Sequence, residues 1–418
     1  MSEIGGMNIQ KLAENHGTPL VVYDEGALRD KLKSFTDHFK SDSFDTDIIY
    51  ASKAFNCKAM ISLVAEYGCC LDVVSGGELY TAYKAGYDCS KIFFHGNNKT
   101  PDEIKMALDV GVGTFVIDND MEAAELVKQI QGTDKTVNVF LRVNPGIEAH
   151  THEYIVTAHV DSKFGISMLD EEEIVNVIKM MSDCDNITYE GLHAHIGSQI
   201  FDKKAYAELD RKMFAFAAKL KEEYGIDGKS VNLGGGFAAL YTHEDHPIPI
   251  DEVCAEILNT CKEENQKINH QIRRICIEPG RSIVGEAGYN VYTVGYLKKT
   301  PNKLYAFVDG GMSDNIRPAL YQAKYDAFVA GKENEEPHAG YTIAGKCCES
   351  GDILIESIAL PEVETGDILV MKTTGAYGYS MASHYNKLAL PAVVFVKDGE
   401  AREVIKRETY DHLISLEQ

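Results

Sequence analysis

Lys53, in the stretch YASKAF, stands where a short β-prone run at 47–52 gives way to helical spacing at 56–67. An amine at the carboxyl end of a strand can bond an aldehyde, and in α/β folds that edge is where chemistry gathers. Other reactive side chains recur at equivalent places. Asp72 lies in a run at 70–74, His95 closes one at 91–95, and Arg142 and Asn144 close one at 137–143. His193 and His195 end a run at 187–196, and Glu278 ends one at 272–278. Two glycine-rich turns join them: Gly234, Gly235 and Gly236 follow a run at 230–233, and Gly280, Arg281 and Ser282 follow Glu278 and Pro279. Glycine lets backbone N–H groups approach an anion closely, so these turns suit a phosphate, with the Ser198 hydroxyl of HIGSQ as a further donor.

A phosphate grip, an amine and a carboxylate together suit pyridoxal phosphate, whose aldehyde needs an amine and whose ring nitrogen needs an acidic partner. His193 and His195, two apart on one strand, share a face. Three roles fit that spacing: His195 stacking on a cofactor ring, an HxH metal pair with Glu278, or barrel-interior histidines with hydrogen-bond partners.

The elements that must position these groups form a regular series. Eight β-prone runs, the seven above and one at 114–118, alternate with amphipathic segments such as Ala123, Leu126, Val127, Ile130 and Met213, Phe216, Ala217, Leu220. That alternation predicts an α/β fold, a TIM (β/α)8 barrel over 25–282, in preference to an open doubly wound sheet. From 283 to 418 the runs at 289–297, 304–308, 352–359, 367–372, 392–396 and 403–407 are short and broken by turns, which predicts a second, all-β domain. A strand at 18–24, within the N-terminal 1–24, is expected to join that domain, and 330–339 reads as an exposed loop.

The formal net charge is −23, from 64 acidic against 41 basic residues, with no basic run, which excludes nucleic acid and anionic membranes as partners. No secretory leader and no stretch of about 18 apolar residues is found, so a soluble cytoplasmic protein is expected. The ten cysteines are scattered without a CxxC, which fits neither a zinc site nor a disulfide framework, and no metal is expected.

Beyond the strand ends, an ordered set of motifs runs along the chain: YASKAF, LDVVSGGEL (71–79), SKFGI (162–166), HIGSQ (195–199), GGGF (234–237), EPGR (278–281), IRPALY (316–321), CES (348–350) and GAYGYSMAS (375–383). With it the chain resembles the fold-type III pyridoxal-phosphate-dependent decarboxylases, and among them the branch acting on meso-2,6-diaminopimelate. The resemblance implies that Lys53 bonds the cofactor aldehyde, His195 stacks on its ring and Glu278 pairs with its nitrogen. Asp72, Ser198, Gly234, Gly235, Gly236, Gly280, Arg281 and Tyr377 complete the implied cofactor set. It further implies substrate contacts at Arg281, Arg317, Tyr321, Glu349 and Tyr377, a proton donor at Cys348, and a homodimer whose subunits share each active site. Lys346 replaces a proline common in the family, and the CES triplet selects Cys348 over Cys347.

Given the family, the residues argue for the substrate. The distal end of diaminopimelate carries a carboxylate and an ammonium, which two arginines and Glu349 can pair. The expected reaction is decarboxylation at the D-centre to give L-lysine and carbon dioxide. A decarboxylase of ornithine, arginine or carboxynorspermidine is the alternative; an amine-only tail would leave the arginines without an anion.

Overall fold

Eight short parallel strands close into a ring in the computed structural model, which describes residues 3–147 and 162–418. In chain order they are β1 (Asp45–Ala51), β2 (Cys70–Val73), β3 (Ile92–Phe94), β4 (Thr114–Ile117), β5 (Val137–Asn144), β6 (Ile187–His193), β7 (Ser230–Asn232) and β8 (Arg274–Ile277). Each pairs in parallel with its neighbours in sequence, and β8 closes on β1 through Arg274 opposite Asp45 and Ile277 opposite Ile48. This is the barrel expected from the alternation of runs.

The ring is built in layers because side chains alternate across a strand. Ile49, Cys70, Phe93, Val116, Phe140 and Cys276 form one buried apolar cluster. Two residues earlier on β1 and β8, Asp47 and Arg274 pair at 2.5 Å. Two residues later the same parity places Asp72, His95, Asp118, Arg142 and Glu278 at the carboxyl ends of five strands. An apolar floor thus underlies a polar layer, and burial of the floor, at about 25 cal/mol per Å², supports the cost of burying the charges above it.

Local capping fixes where several of these strands hand over to helices. Ser75 accepts from the Glu78 amide, Thr100 forms a capping box with Glu103, and Asn119 accepts from the Glu122 amide. Lys99 is buried after β3, where its Nζ donates to Glu122 at 2.6 Å and to the Val116 carbonyl at 2.8 Å. That ion pair ties the end of β4 to the turn that follows β3.

The chain divides into two compact units: the barrel, residues 32–238 and 247–280, and a β unit made of residues 1–31, 239–246 and 281–418. In the β unit one sheet runs in the order Ile353–Leu360, Ala339–Ala344, Leu304–Val308, Gly288–Lys299, Leu20–Asp24, Ala392–Lys397 and Glu400–Ile405. Strand Leu20–Asp24 lies inside it, antiparallel to Gly288–Lys299 and parallel to Ala392–Lys397. Two apolar clusters fill this unit, one around Tyr292, Val294, Ile343 and Met371, the other around Leu20, Val22, Val291 and Val394. The exposed loop expected at 330–339 gives way at Ala339 to a strand that continues to Ala344.

Candidate active site

In the barrel, Glu278 is the centre of the polar layer. Its Oε1 accepts from Asn232 Nδ2 at 2.8 Å and lies 2.9 Å from His95 Nε2, while its Oε2 lies 3.1 Å from His193 Nε2. The two imidazoles meet edge to face, 4.8 Å between centroids. Although burial opposes ionisation, His95 and His193 hold the Glu278 carboxyl well below the usual range, so it stands as an anion. Burial pushes His193 down to about 4, which leaves it neutral at physiological pH. His95, His193 and Glu278 also form the one group of three potential metal ligands among the described residues. The metal triad considered from sequence therefore changes membership: His195 lies past the end of β6, and its Nδ1 accepts from the Gly235 amide at 3.1 Å instead.

Lys53 occupies a 3-10 turn, Ser52–Ala54, directly after β1, and the helix expected over 56–67 runs from Lys58 to Glu66. Its ammonium is close enough to Asp72, Glu78 and His195 to bias their protonation. Asp72 is buried, one of its carboxylate oxygens has no hydrogen-bond partner, and burial raises its pKa. Burial and the neighbouring Asp72 raise Glu78 to about 7. His195 falls well below its ordinary value through burial and the Lys53 charge.

The glycine turns meet at the same ends of the strands. Ile200 and Phe237 bridge the turns after β6 and β7, and the Glu278 amide donates to the Gly234 carbonyl at 2.7 Å. A Cβ on Gly235 would stand 2.2 Å from the Glu278 carbonyl oxygen, and one on Gly280 would stand 2.9 Å from Ala51 Cβ. Side chains are therefore excluded at both positions, and the turns keep bare backbone there.

The β unit carries a second constellation. Arg281 and Arg317 are both buried, at 6% and 7% exposure. The Arg317 guanidinium lies 4.9 Å from the Tyr241 ring and donates to the Tyr325 hydroxyl at 2.5 Å. That of Arg281 lies 4.8 Å from the Tyr377 ring and donates to the Tyr241 hydroxyl. Tyr377 has φ +58°, a left-handed conformation unusual for a non-glycine residue and of the kind found at functional sites. Tyr321 is half-buried at the end of the short helix Arg317–Tyr321. Cys348 and Glu349 lie on an exposed turn, where the Cys348 amide donates to Asn386 Oδ1 at 2.6 Å. Cys347 is buried, and its amide donates to Asp352 at 2.8 Å.

Comparison with known proteins agrees with this chemistry. The family described as pyridoxal-dependent decarboxylase, pyridoxal binding domain, matches residues 25–285. The diaminopimelate decarboxylase of Bacillus subtilis is 48% identical over 99% of this chain and 94% of its own length. The chain belongs to the diaminopimelate decarboxylase family. The Staphylococcus aureus enzyme of that name is 47% identical over 98% of this chain and 96% of its own. Among solved structures, the M. jannaschii diaminopimelate decarboxylase in complex with L-lysine is 34% identical, with a TM-score of 0.91, and the match covers 98% of this chain and 94% of that one. A lysine/ornithine decarboxylase from Vibrio vulnificus, at 22% identity and a TM-score of 0.79, shares the fold alone.

Family membership makes pyridoxal phosphate the cofactor, and the barrel residues suit it. A buried anion at Glu278 matches a protonated ring nitrogen, and Asp72 holds a buried oxygen still lacking a donor. Sequence reading passed over four residues of these two constellations. Glu78 lay inside the LDVVSGGEL motif, and Asn232 sits two residues before Gly234 with its Oδ1 accepting the Gly234 amide. Tyr325 follows the IRPALY motif closely, whereas Tyr241 lies in no regular element and gave no periodic signal.

Proposed function

We propose that this chain decarboxylates meso-2,6-diaminopimelate at its D-centre to L-lysine and carbon dioxide. Full-length identity to diaminopimelate decarboxylases carries the reaction; the buried Glu278 anion and the paired arginines support the residue roles. The alternative of an ornithine, arginine or carboxynorspermidine decarboxylase is set aside, since the close relatives are diaminopimelate enzymes and the lysine/ornithine enzyme is related in fold only.

Pyridoxal phosphate supplies an electron sink conjugated with the substrate α-carbon. Lys53 would hold its aldehyde. Glu278, kept ionised beside His95 and His193, would pair with the ring nitrogen and favour its protonated form. His195, Asp72 and Tyr377 would hold the ring, and Ser198, Gly234, Gly235, Gly236, Gly280 and the Arg281 amide would hold the phosphate. Arg281 and Arg317 bind the distal carboxylate, Glu349 the distal ammonium, and Tyr321 and Tyr377 also contact the substrate. Cys348 delivers a proton to the α-carbon once carbon dioxide has left. Its neighbour Cys347 is buried, with its amide held by Asp352, so the exposed Cys348 is the thiol better placed to meet substrate.

The enzyme acts as a homodimer in the cytoplasm. Supporting the dimer, Cys348 and Glu349 are exposed in a single chain, whereas a proton donor to carbon works best where water is excluded. All ten cysteines stand as thiols, as a reducing compartment requires, and no described helix is long and apolar enough to cross a membrane. Purified enzyme with pyridoxal phosphate should release carbon dioxide from meso-diaminopimelate and not from L-ornithine or L-arginine. Release from ornithine alone would refute the substrate assignment.

A further inference from the structure

Tyr241 touches both arginines of the β unit, and no sequence motif marked it. It is 6% exposed, in the short segment 239–246 that groups with this unit. Its hydroxyl accepts from Arg281, while its ring lies under the Arg317 guanidinium at 4.9 Å. Tyr325 stands against it edge to face, 5.4 Å between centroids at 78°, and its own hydroxyl accepts from Arg317. Arg317 is within ion-pair distance of none of the described carboxylates, so its charge rests on aromatic faces and one phenol oxygen.

Two buried guanidiniums on one side chain repel, and in a site of low dielectric the repulsion is not screened away. Cation–π contact and phenol acceptors offset part of it. Two guanidiniums held against one tyrosine suit an anion able to take hydrogen bonds from both forks.

We infer that Tyr241 is a specificity-determining positioning residue: its hydroxyl orients Arg281 and its ring orients Arg317, so that both meet one substrate carboxylate. The inference rests on the proposed role of those arginines as contacts of the distal carboxylate. Removing the hydroxyl takes away one of the contacts that orient Arg281, while removing the ring also withdraws the platform under Arg317. Binding of ligands with a distal carboxylate suffers in both cases, and binding of an amine-only ligand does not.

The test uses holoenzyme of wild type, Tyr241→Phe, Tyr241→Leu and Arg317→Leu. KM for meso-diaminopimelate should rise about tenfold in Tyr241→Phe, with kcat within about threefold, and further in Tyr241→Leu. The inhibition constant of L-lysine, which keeps the distal carboxylate, should rise in parallel, and that of cadaverine, which lacks it, should stay. Unchanged KM in Tyr241→Phe beside raised KM in Arg317→Leu would overturn the role of Tyr241 alone. Unchanged KM in Arg317→Leu would overturn the underlying assignment of the arginines.

Discussion

Replacing Glu278 by glutamine keeps the shape of the side chain and removes its charge. The carboxylate is met from both sides: Asn232 at 2.8 Å and His95 at 2.9 Å on Oε1, and His193 at 3.1 Å on Oε2. Glutamine offers one acceptor oxygen and one NH2, so the NH2 must face a former donor. The less costly orientation turns it to His193, which is neutral and can present a lone pair by changing tautomer. Even so, a neutral acceptor replaces a charged one at Asn232, and no anion remains to hold a proton on the ring nitrogen. Hydrogen bonds to charged groups contribute about 1.5–3 kcal/mol, which corresponds to roughly ten- to a hundredfold in affinity. Titration of apoenzyme with pyridoxal phosphate, followed by absorbance, should show weakening of about that size, and kcat should fall by more than the affinity does. A variant that keeps both affinity and kcat within twofold of wild type, a factor worth less than about 0.5 kcal/mol, would refute the pairing of Glu278 with the ring.

Three further outcomes follow from the same residues. Cys348→Ala should lower kcat about a hundredfold or more, as loss of a general acid does, while Cys347→Ala should leave kcat near wild type and lower thermal stability; the reverse ranking would reassign the proton donor. Mixing inactive Lys53→Ala and Cys348→Ala chains under subunit exchange should restore up to about a quarter of wild-type activity, because half the dimers are mixed and each rebuilds one intact site of two; no recovery, with exchange verified by native mass spectrometry, would exclude a shared site. Asp210 is buried on helix Lys203–Tyr224 beside Cys261, and burial raises its pKa well above the usual carboxylate range. The folded state then binds a proton that the unfolded chain has released, so this residue's contribution to stability falls as pH rises through the unfolded value of about 4 and levels off once the folded pKa is passed. Asp210→Asn should lose that component of the slope and be more stable by about 1–3 kcal/mol at pH 8 in chemical denaturation; an unchanged slope would contradict the assignment.

Much of the barrel was legible because most of its strands are β-branched or aromatic runs that end in a chemically distinct residue. The parity rule then did more than locate strands. Asp72, His95 and Glu278 each lie two residues beyond an inward-facing Cys70, Phe93 or Cys276, so one alternation accounts for both the apolar floor and the polar layer. The strand Ala339–Ala344 escaped because its sequence, AGYTIA, carries two alanines and a glycine, and its pairing with Ile353–Leu360 and Leu304–Val308 decides its conformation. His195 was drawn into β6 with His193, yet the strand ends at His193 and the next turn aims His195 at Gly235. Tyr241 was invisible for a different reason: its contacts are with Arg281, Arg317 and Tyr325, distant in sequence and assembled only by the fold.

The assignment of chemistry depends most directly on the amine at position 53. Holoenzyme reduced with borohydride and digested should yield one modified peptide, the one containing Lys53, heavier by a single phosphopyridoxyl group. Modification at another lysine, or none in enzyme that turns over diaminopimelate, would contradict it.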